Sequence, residues 1–495
     1  MKKKEKNKKI LLILILIFTV FATGAIAVFA IDGGRTKYDL TLRLDSEAMT
    51  LYATETVTYV NQTGDTLKEL RFNLYPNAFR ENAKIKPYYE SGIADAYPAG
   101  IDYGFIEIES VKTGGRDAGF EIGGEDKNIL IAVFGSPLLN KRAEGIEIVF
   151  SVKIPQTNLR FGYYDGIVNL TNFFPIACVY ADGGFVECPY LPLGDPFLSE
   201  DADYKVDLKT DKPYVAAHSG NLASEKSDEG GRGKLFKFEG KRIRDFALCL
   251  SEKFGIETKK NKGKTVKYYY IKGNAGEYNA EKKAALALSA LTFFGEYFIA
   301  YPYKTFCAVE TYLTAGGMEY PNLVLINQGL REEDKESVIV HETAHQWWYG
   351  IVGNDNLNYA WTDEGLTEFS TELYFGKNGR VLKAAQYYQY NYTAAKRFDE
   401  IAEGIGIKNA TMEKPLKEYL SEYEYVIGVY SRGHLLFHDL YRTVGEKNFQ
   451  KALRHYAKKN KYRIASKGGL VGAFEKYDGG AGRVFDEWIS FQKVF

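Results

Sequence analysis

Cysteine is scarce in this sequence, which contains four such residues among 495: Cys178, Cys188, Cys249 and Cys307. Four are too few for a small domain held together by disulfides. The absence of a C-x-x-C pair disfavours a zinc site built from cysteines. A Cys178–Cys188 bridge is possible outside the cell, but the spacing is equally compatible with four unpaired, packed thiols, and we expect the latter.

Net charge is lacking as well, because 64 basic and 64 acidic residues balance. No global field therefore steers the protein toward nucleic acid, and we expect no nucleic-acid partner. Internal repeats and low-complexity tracts are also missing from the sequence. A composition of 45% hydrophobic and 26% charged residues is typical of a globular chain, here long enough for two or three domains.

The strongest local charge lies at the N-terminus. Residues 1–9, MKKKEKNKK, contain six lysines and precede the uncharged run Ile10–Ala30. That run of 21 residues can cross a bilayer core of about 30 Å as a helix. Lysines before it predict a cytoplasmic tail (1–9), a transmembrane signal-anchor (10–30) and a cell-membrane protein with the remaining chain on the extracytoplasmic side. A cleaved signal peptide and a secreted product are the alternative, because VFA before Ile31 offers small residues to a signal peptidase.

Alternating hydrophobicity predicts a β domain over residues 36–250. The segment YDLTLRL places Tyr38, Leu40, Leu42 and Leu44 on one face of a strand, and LYATETVTYV alternates in the same way. Short β-prone segments punctuated by glycine pairs follow, as in a large antiparallel sheet or sandwich.

From residue 251 the pattern changes. TVKYYYIKG predicts a strand, and residues 280–298 predict an alanine-rich helix. Beyond Glu332 helical periods dominate, and the acids of REED (331–334) suit the start of a helix. The sequence therefore predicts a multidomain α+β protein whose second domain spans residues 251–495.

The stretch SVIVHETAHQWWYG, residues 337–350, carries the clearest chemical signal. His341 and His345 are four residues apart on one helix face, so both imidazoles can reach one metal ion. Glu342 is turned by about 100° from His341 and can instead hold a water bound to that ion. This H-E-x-x-H pattern is typical of zinc metalloproteases, with two nitrogen ligands and a general base. Alone, it is equally compatible with a surface helix whose histidines are solvated.

A third ligand distinguishes these possibilities. Glu364 follows His345 by nineteen positions, in YAWTDEGLTEFSTELYF, where Thr362 or Asp363 can cap a second helix. Two histidines and one carboxylate give three protein ligands and leave a fourth position for water, as in catalytic zinc sites. Zinc lowers the pKa of such a water, and Glu342 can accept its proton.

These residues resemble peptidase family M1, the zinc aminopeptidases of the gluzincin type (membrane alanyl aminopeptidase-like). Three further segments are similar to family elements. GGMEY (316–320) resembles G-A/G-M-E-N, YSRGHLLFHDL (430–440) resembles a Tyr-x-Lys-Gly helix start, and FFPIACVYADGGFVECPYLPLGDPFLSEDADYKVDL (173–208) resembles the end of the N-terminal saddle-like β domain. The resemblance covers about residues 36–495. It implies a β saddle or sandwich followed by a thermolysin-like α/β zinc peptidase domain with one Zn²⁺ per chain.

The resemblance also implies how a peptide is bound. Glu319, on an edge strand beside the cleft, would pair with the free α-ammonium of a substrate and so direct cleavage to the N-terminus. Gly316, Gly317 and Met318 would line the path of the substrate backbone, which could pair with the strand edge.

Tyr430 would donate a hydrogen bond to the oxyanion of the transition state. Gly433 follows it at the spacing of the family element, although Arg432 stands where lysine is frequent. Tyr423 and Tyr425 in SEYEYVIGVYSRG are close competitors for this role.

Two other features allow more than one interpretation. Glu368 lies one helical turn after Glu364, where it could support a zinc-binding histidine or be solvated. His434 and His438 repeat the four-residue spacing without the intervening glutamate, and we expect them to be structural or cleft-facing.

The sequence departs from the family pattern at Tyr320 and at Asp363, both positions where asparagine is frequent. About 130 residues follow Glu364, enough to complete a catalytic domain but not the helical bowl that closes the cleft in longer members. We therefore expect a short member with a more open cleft.

These expectations combine into a zinc metallopeptidase, of aminopeptidase type, acting on peptides through zinc-activated water, Glu342 and Tyr430. The alternatives are a zinc endopeptidase or dedicated processing peptidase with an open cleft, and a non-catalytic envelope binding protein.

Overall fold

The computed structural model describes residues 34–228, 230–404 and 412–490. The predicted basic tail (1–9) and apolar run (10–30) lie outside these residues. Across the described part of the chain, every helix is too short or too polar to traverse a bilayer.

The first region of the chain is almost entirely β-structure. Its described strands are β1 Lys37–Asp45, β2 Thr50–Val60, β3 Leu67–Asn73, β4 Phe105–Thr113, β5 Arg116–Asp117, β6 Phe120–Gly123, β7 Ile129–Leu138, β8 Ala143–Lys153, β9 Gly162–Tyr164, β10 Ile167–Leu170, β11 Ile176–Ala177, β12 Val179–Ala181, β13 Gly184–Val186, β14 Ala202–Thr210, β15 Val215–His218, β16 Asn221–Ser227, β17 Lys234–Ile243 and β18 Leu248–Ser251. One short helix, α1 (Ile93–Ala96), interrupts them.

These strands form one large sheet and smaller ones around it. The large sheet has eight strands in the order β16-β17-β14-β1-β2-β8-β4-β5, and two four-stranded sheets have the orders β15-β18-β10-β9 and β11-β3-β7-β6. The large sheet departs from the expected antiparallel pairing at one place, where β1 and β14 pair in parallel from Lys37↔Asp203 to Arg43↔Lys209. More than a hundred residues separate these two strands, and a long connection permits parallel pairing.

The second region is built on a mixed five-stranded sheet covered by helices. The sheet has the order β19-β20-β21-β23-β22, in which the two-residue β22 lies at the edge, antiparallel to β23. Its strands are β19 Phe254–Asn261, β20 Lys264–Ile271, β21 Thr305–Thr311, β22 Gly317–Met318 and β23 Leu323–Asn327, and a separate parallel pair consists of β24 Val352–Asn354 and β25 Arg463–Ala465. The helices are α2 Ala280–Tyr297, α3 Glu332–Ala344, α4 Asn356–Tyr359, α5 Glu364–Lys377, α6 Val381–Gly404, α7 Glu422–Tyr425, α8 Gly433–Lys459, α9 Lys467–Glu475 and α10 Ala481–Ile489.

Two helices depart from regular geometry near the C-terminal half of this region. A π-helical turn, Val426–Arg432, joins α7 directly to α8. Within α8, Gly445 has φ 73°, which breaks the helix into two segments. π-Turns are rare in proteins, but those that occur are often found at functional sites.

The two regions pack together through the five-stranded sheet. Cys307 and Val309 of β21 belong to the same hydrophobic core as the N-terminal sheets, whereas Phe306 and Ala308 pack with the helices. This alternation follows from the period of two along a strand. The sheet therefore lies between the β region on one face and α2 and α3 on the other.

A buried arginine, Arg244, donates hydrogen bonds to both regions at their edge. Arg244 is 2% exposed and donates from Nε to the carbonyl of Tyr349 (2.8 Å), from Nη1 to that of Ser199 (2.9 Å) and from Nη2 to that of Arg463 (2.7 Å). A Cβ on Gly353 would lie 2.2 Å from its guanidinium carbon, so glycine is required there. The four cysteines are all buried and free.

Candidate active site

Helix α3 delivers the two histidines of the H-E-x-x-H stretch to one point. Three acids, Glu332, Glu333 and Asp334, occupy its first turn, where they favour the helix dipole. His341 lies in the last turn and His345 follows the helix end. The Nε2 atoms of His341 and His345 are 3.0 Å apart, and both side chains are nearly buried.

Glu364 begins α5 and faces the same point. Its Oε2 lies 3.2 Å from His341 Nε2 and 3.1 Å from His345 Nε2. Donors bound at about 2.0–2.2 Å to a tetrahedral zinc ion would lie about 3.3–3.6 Å apart, so these spacings are close to those of a zinc site. Two imidazole nitrogens and a carboxylate oxygen are also the donor types that zinc accepts in catalytic sites. The residues present therefore fit the metal.

Each histidine is oriented by a carboxylate on its other nitrogen. His345 Nδ1 lies 2.8 Å from Asp363 Oδ1, and His341 Nδ1 lies 3.1 Å from Glu368 Oε1. Such bonds fix the tautomer that leaves Nε2 free for a metal. Asp363 precedes α5 but makes no side-chain capping bond, contrary to expectation, because its carboxylate is taken by His345 and by Asn356 Nδ2 (2.9 Å).

Glu342 points into the cavity beside these ligands. It is 5% exposed, and its Oε2 has no hydrogen-bond partner among the described residues. Burial raises the pKa of this carboxyl to about 7, against the opposing effect of His341 and His345. Gly317 lies directly against it, since a Cβ on Gly317 would be 2.3 Å from Glu342 Oε1.

Glu319 follows the edge strand β22 and lies close to Asp195, a carboxylate from the other region. Glu319 is 3% exposed, and its Oε1 has no hydrogen-bond partner within the described residues. One oxygen each from Asp195, Glu319 and Glu364 lies within 4.8 Å of the others. Burial raises the pKa of Glu319 well above its usual value, and the charge of Asp195 adds to the effect. This cluster of acids is therefore suited to a cation.

Asp195 was not predicted from the sequence. It lies in the loop between β13 and β14, and Arg160 Nη1 donates to its Oδ1 at 2.6 Å. Arg160 Nη1 also lies 3.3 Å from the sulfur of Met318, which is buried. The one signal was that LPLGDPF falls within the segment similar to the family, but an aspartate between glycine and proline reads as a turn.

The π-helical turn carries Tyr430 to the ligand set. The ring of Tyr430 stacks on that of His341 at 6.2 Å with 14° between the planes. Burial and then the charge of Glu364 raise the pKa of its hydroxyl. Tyr425, one π-turn earlier, meets Tyr430 edge-on at 5.7 Å. Tyr423 is 51% exposed and packs on Phe398 instead.

The site opens into a cleft between the two regions. A cavity of about 220 Å³ contains the ligand set, with Gly316, Gly317 and Glu319 in its wall. An adjoining cleft of about 640 Å³ shares Asp195, Gly317 and Tyr430 with it. Its walls come from the β region at Tyr89 and from the helical region at Glu422. His434 and His438 lie outside this cleft, where both bind Glu372.

Comparisons with known proteins agree with this arrangement. The family model described as "Peptidase family M1 domain" matches residues 283–488. The puromycin-sensitive aminopeptidase of Caenorhabditis elegans is 23% identical over 290 residues, which cover 53% of this chain and 29% of the relative. The probable aminopeptidase 1 of Saccharolobus solfataricus is 22% identical over 414 residues, 78% of this chain and 48% of the relative. The chain thus spans half or less of the length of these curated relatives.

Solved structures show the fold over nearly the whole chain. The M1 zinc metallopeptidase from Deinococcus radiodurans superposes with a TM-score of 0.67 at 17% identity, covering 94% of this chain and 96% of that one. A mutant of that enzyme bound to a Tyr-Ser-Ala substrate gives 0.66 at 16% identity, covering 93% and 95%.

Proposed function

The chain belongs to peptidase family M1, and on that premise we propose that it is a zinc aminopeptidase that removes N-terminal residues from peptides. The observation that carries this proposal is the pairing of two features in one cavity. One is a set of three zinc-type donors, and the other is a buried Glu319 oxygen without a partner among the described residues.

His341, His345 and Glu364 would hold the zinc ion. Bound there, zinc would supply Lewis acidity toward the scissile carbonyl and lower the pKa of a water. Glu342 then accepts the proton of the attacking water, for which its raised pKa is suited. Tyr430 donates its hydroxyl hydrogen to the carbonyl oxygen as negative charge develops on it. Asp363 and Glu368 keep the imidazoles in orientation.

Glu319 and Asp195 would bind the α-ammonium of the substrate. A cation between these carboxylates relieves their mutual repulsion and provides a partner for Glu319 Oε1. Gly316, Gly317 and Met318 form the adjoining edge, where a substrate backbone can lie beside β22. Because this anchor lies beside the ligand set, the bond cut is the first one of the peptide.

Substrates that differ only at the amino group test this direction of cleavage. Aminoacyl fluorogenic amides should be hydrolysed and their N-acetylated forms should not. Glu319→Gln should lower kcat/KM by about 10- to 100-fold, because one charged hydrogen bond of about 1.5–3 kcal/mol is lost. Glu333→Gln, on a side chain that is 71% exposed, serves as the control and should be neutral.

The cleft of about 640 Å³ supports a second candidate, a zinc endopeptidase or dedicated processing peptidase. Equal hydrolysis of free and acetylated substrates would favour this candidate and remove the anchor role of Glu319. A non-catalytic envelope binding protein is the third candidate. It would be favoured if Glu342→Gln caused no loss of peptidase activity in the zinc-loaded protein.

The location of the protein and the bounds of its domains are part of the same proposal. The lysine-rich tail and apolar run support an exported enzyme, anchored by residues 10–30 or released after cleavage, with a β domain at 36–250 and a peptidase domain at 251–495. Digestion of intact cells with an impermeant protease should remove residues beyond 31 from an anchored protein, and a cytoplasmic protein would be spared.

A further inference from the structure

Helix α5 presents three glutamates in a row. Glu364, Glu368 and Glu372 are spaced by four residues and therefore lie along one face of the helix. Glu364 and Glu368 contact the histidines of α3, and the proposed mechanism accounts for both. Glu372 turns to a different helix, and nothing in that mechanism uses it.

Glu372 joins α5 to the first turns of α8. His434 Nε2 lies 2.7 Å from Glu372 Oε2, and His438 Nδ1 lies 3.1 Å from the same oxygen and 3.2 Å from Oε1. His434 is wholly buried, and its Nδ1 has no hydrogen-bond partner in the described part of the chain, so its Nε2 carries the proton it donates. Burial opposes the ionisation of Glu372, but the two histidine hydrogen bonds outweigh it and lower its pKa to about 2.

The same two helices touch closest at a pair of glycines. A Cβ on Gly365 would lie 2.6 Å from Gly433 Cα, and a Cβ on Gly433 would lie 2.8 Å from Gly365 Cα. Gly365 adjoins Glu364 in the chain, and Gly433 follows the π-helical turn that carries Tyr430. Two glycines permit close approach, but smooth surfaces without side chains do not resist rotation of one helix about its axis.

Tyr430 depends on that rotation. Tyr430 lies four residues before His434, on helical structure continuous with α8. Rotation of α8 about its axis would therefore move the Tyr430 hydroxyl away from Glu364. π-Turns are rare and occur mostly as single turns inside α-helices, so we expect this one to be supported by contacts from outside the helix. Directional hydrogen bonds from two successive helical turns to one carboxylate provide such support.

We propose that Glu372, with His434 and His438, is a positioning clasp that fixes the rotation of α8 on α5 and thereby holds Tyr430 toward the ligand set. The clasp rests on the proposed function, because it acts through the hydroxyl of Tyr430. It makes Glu372 a positioning residue that does not itself contact substrate or metal.

Steady-state kinetics with an aminoacyl amide test the clasp, using Glu372→Ala and Glu372→Gln in the full chain. We expect Glu372→Ala to lower kcat by about tenfold to a hundredfold, as misplacement of a distant group by about 1 Å can do, with KM and zinc content little changed. Glu372→Gln keeps one acceptor oxygen and should lose less. Glu446→Gln is the matched control, because Glu446 also joins α8 to α5, through Lys377 at 2.7 Å, but at an exposed place. Its kcat should be unchanged.

A double-mutant cycle with Tyr430→Phe separates positioning from general support. If the clasp acts through the hydroxyl, Glu372→Ala should cause no further loss of kcat once that hydroxyl is absent. Additive losses, loss of zinc from Glu372→Ala, or a folded Glu372→Ala enzyme with full kcat would each overturn the clasp. Should Glu372→Ala fail to fold, His438→Gln at the half-buried end of the clasp enters the same cycle with the same expected result. If Tyr430→Phe alone leaves kcat unchanged, the role of Tyr430 in the proposed function fails, and the clasp fails with it.

Discussion

Glu342 and Gly317 illustrate how closely single residues depend on one another at this site. Glu342 is buried with Oε2 unpartnered among the described residues, and a Cβ added to Gly317 would lie 2.3 Å from its other oxygen, Oε1. A side chain of any size at position 317 would have to displace the carboxylate. The glycine therefore matters as much for the proposed general base, Glu342, as for the proposed path of the substrate.

Gly317→Ala should lower kcat by an amount comparable to losing a general base, about 10²–10⁴-fold, while zinc remains bound. The reason is the 2.3 Å approach of the added Cβ to Glu342 Oε1. Gly316→Ala is the comparison, since its Cβ would meet only Val338 Cγ2 at 3.5 Å, and its loss should be far smaller. Equal losses in both variants, measured with zinc content, would contradict this explanation.

The histidine pair could be predicted from its spacing on one helix, whereas Asp195, brought in from a distant loop, could not. The four-residue spacing of His341 and His345 determines that they share a face, and the structure brings Glu364 to them. Asp195 enters the cavity from a loop more than a hundred residues away, and no local pattern encodes that approach. The close approach of Gly317 to Glu342 also joins two separate elements, and the sequence predicted Gly317 only as part of the substrate path.

At the scale of elements, strand β2 contains an exception to its own pattern. Leu51, Ala53, Val57 and Tyr59 are buried on one face, as alternation predicts, but Glu55 lies on that same face with no exposure. Neither of its carboxylate oxygens has a hydrogen-bond partner among the described residues. Burial raises the pKa of Glu55 well above its usual value.

The stability of the protein should therefore depend on pH through Glu55. A carboxyl whose pKa is higher in the folded than in the unfolded state destabilises the fold least below the unfolded pKa of about 4.3. The free energy of unfolding then falls as the pH rises above that value. Glu55→Met should raise the free energy of unfolding at pH 7 by about 1–3 kcal/mol and flatten this dependence. Denaturation at pH 4.5 and 7 measures both effects, and Glu121→Met on an exposed strand position is the control. A variant less stable than the parent at pH 7 would show that Glu55 is favourable where it lies.

Element types were easier to predict than their pairing. The alanine-rich helix expected at 280–298 is observed at Ala280–Tyr297, because its local preference agrees with its packing. The parallel pairing of β1 with β14 depends on a distant return of the chain, and the π-helical turn on contacts of α7 and α8. Neither leaves a periodic signal in the sequence.

For the whole molecule, Arg244 adds buried hydrogen bonds to the apolar contact that joins the two regions. Its three donated bonds reach carbonyls on both sides of the boundary, and its burial means that water cannot replace them. The positions of Asp195 and Arg160 relative to the ligand set depend on this joining of the two regions.

Arg244→Met should lower the free energy of unfolding by about 3 kcal/mol, because the buried carbonyls of Ser199 and Tyr349 lose their donor at about 1–3 kcal/mol each and the partly buried carbonyl of Arg463 loses its donor as well. Differential scanning calorimetry should show a lower Tm, and separation into two transitions would indicate that the regions have become independent. Arg116→Met, at an exposed position, is the control. An unchanged Tm for Arg244→Met would mean that the apolar contact between the regions suffices.

The cavity draws its metal-type donors from one region and part of its acidic cluster from the other. Helices α3 and α5 supply His341, His345 and Glu364, whereas Asp195 belongs to the β region. A newly made chain whose halves had folded but not yet joined could already capture zinc, yet it would lack half of the carboxylate pair proposed to recognise a peptide's amino end. Docking of the two regions would then delay the proposed removal of N-terminal residues from peptides until the molecule is fully folded.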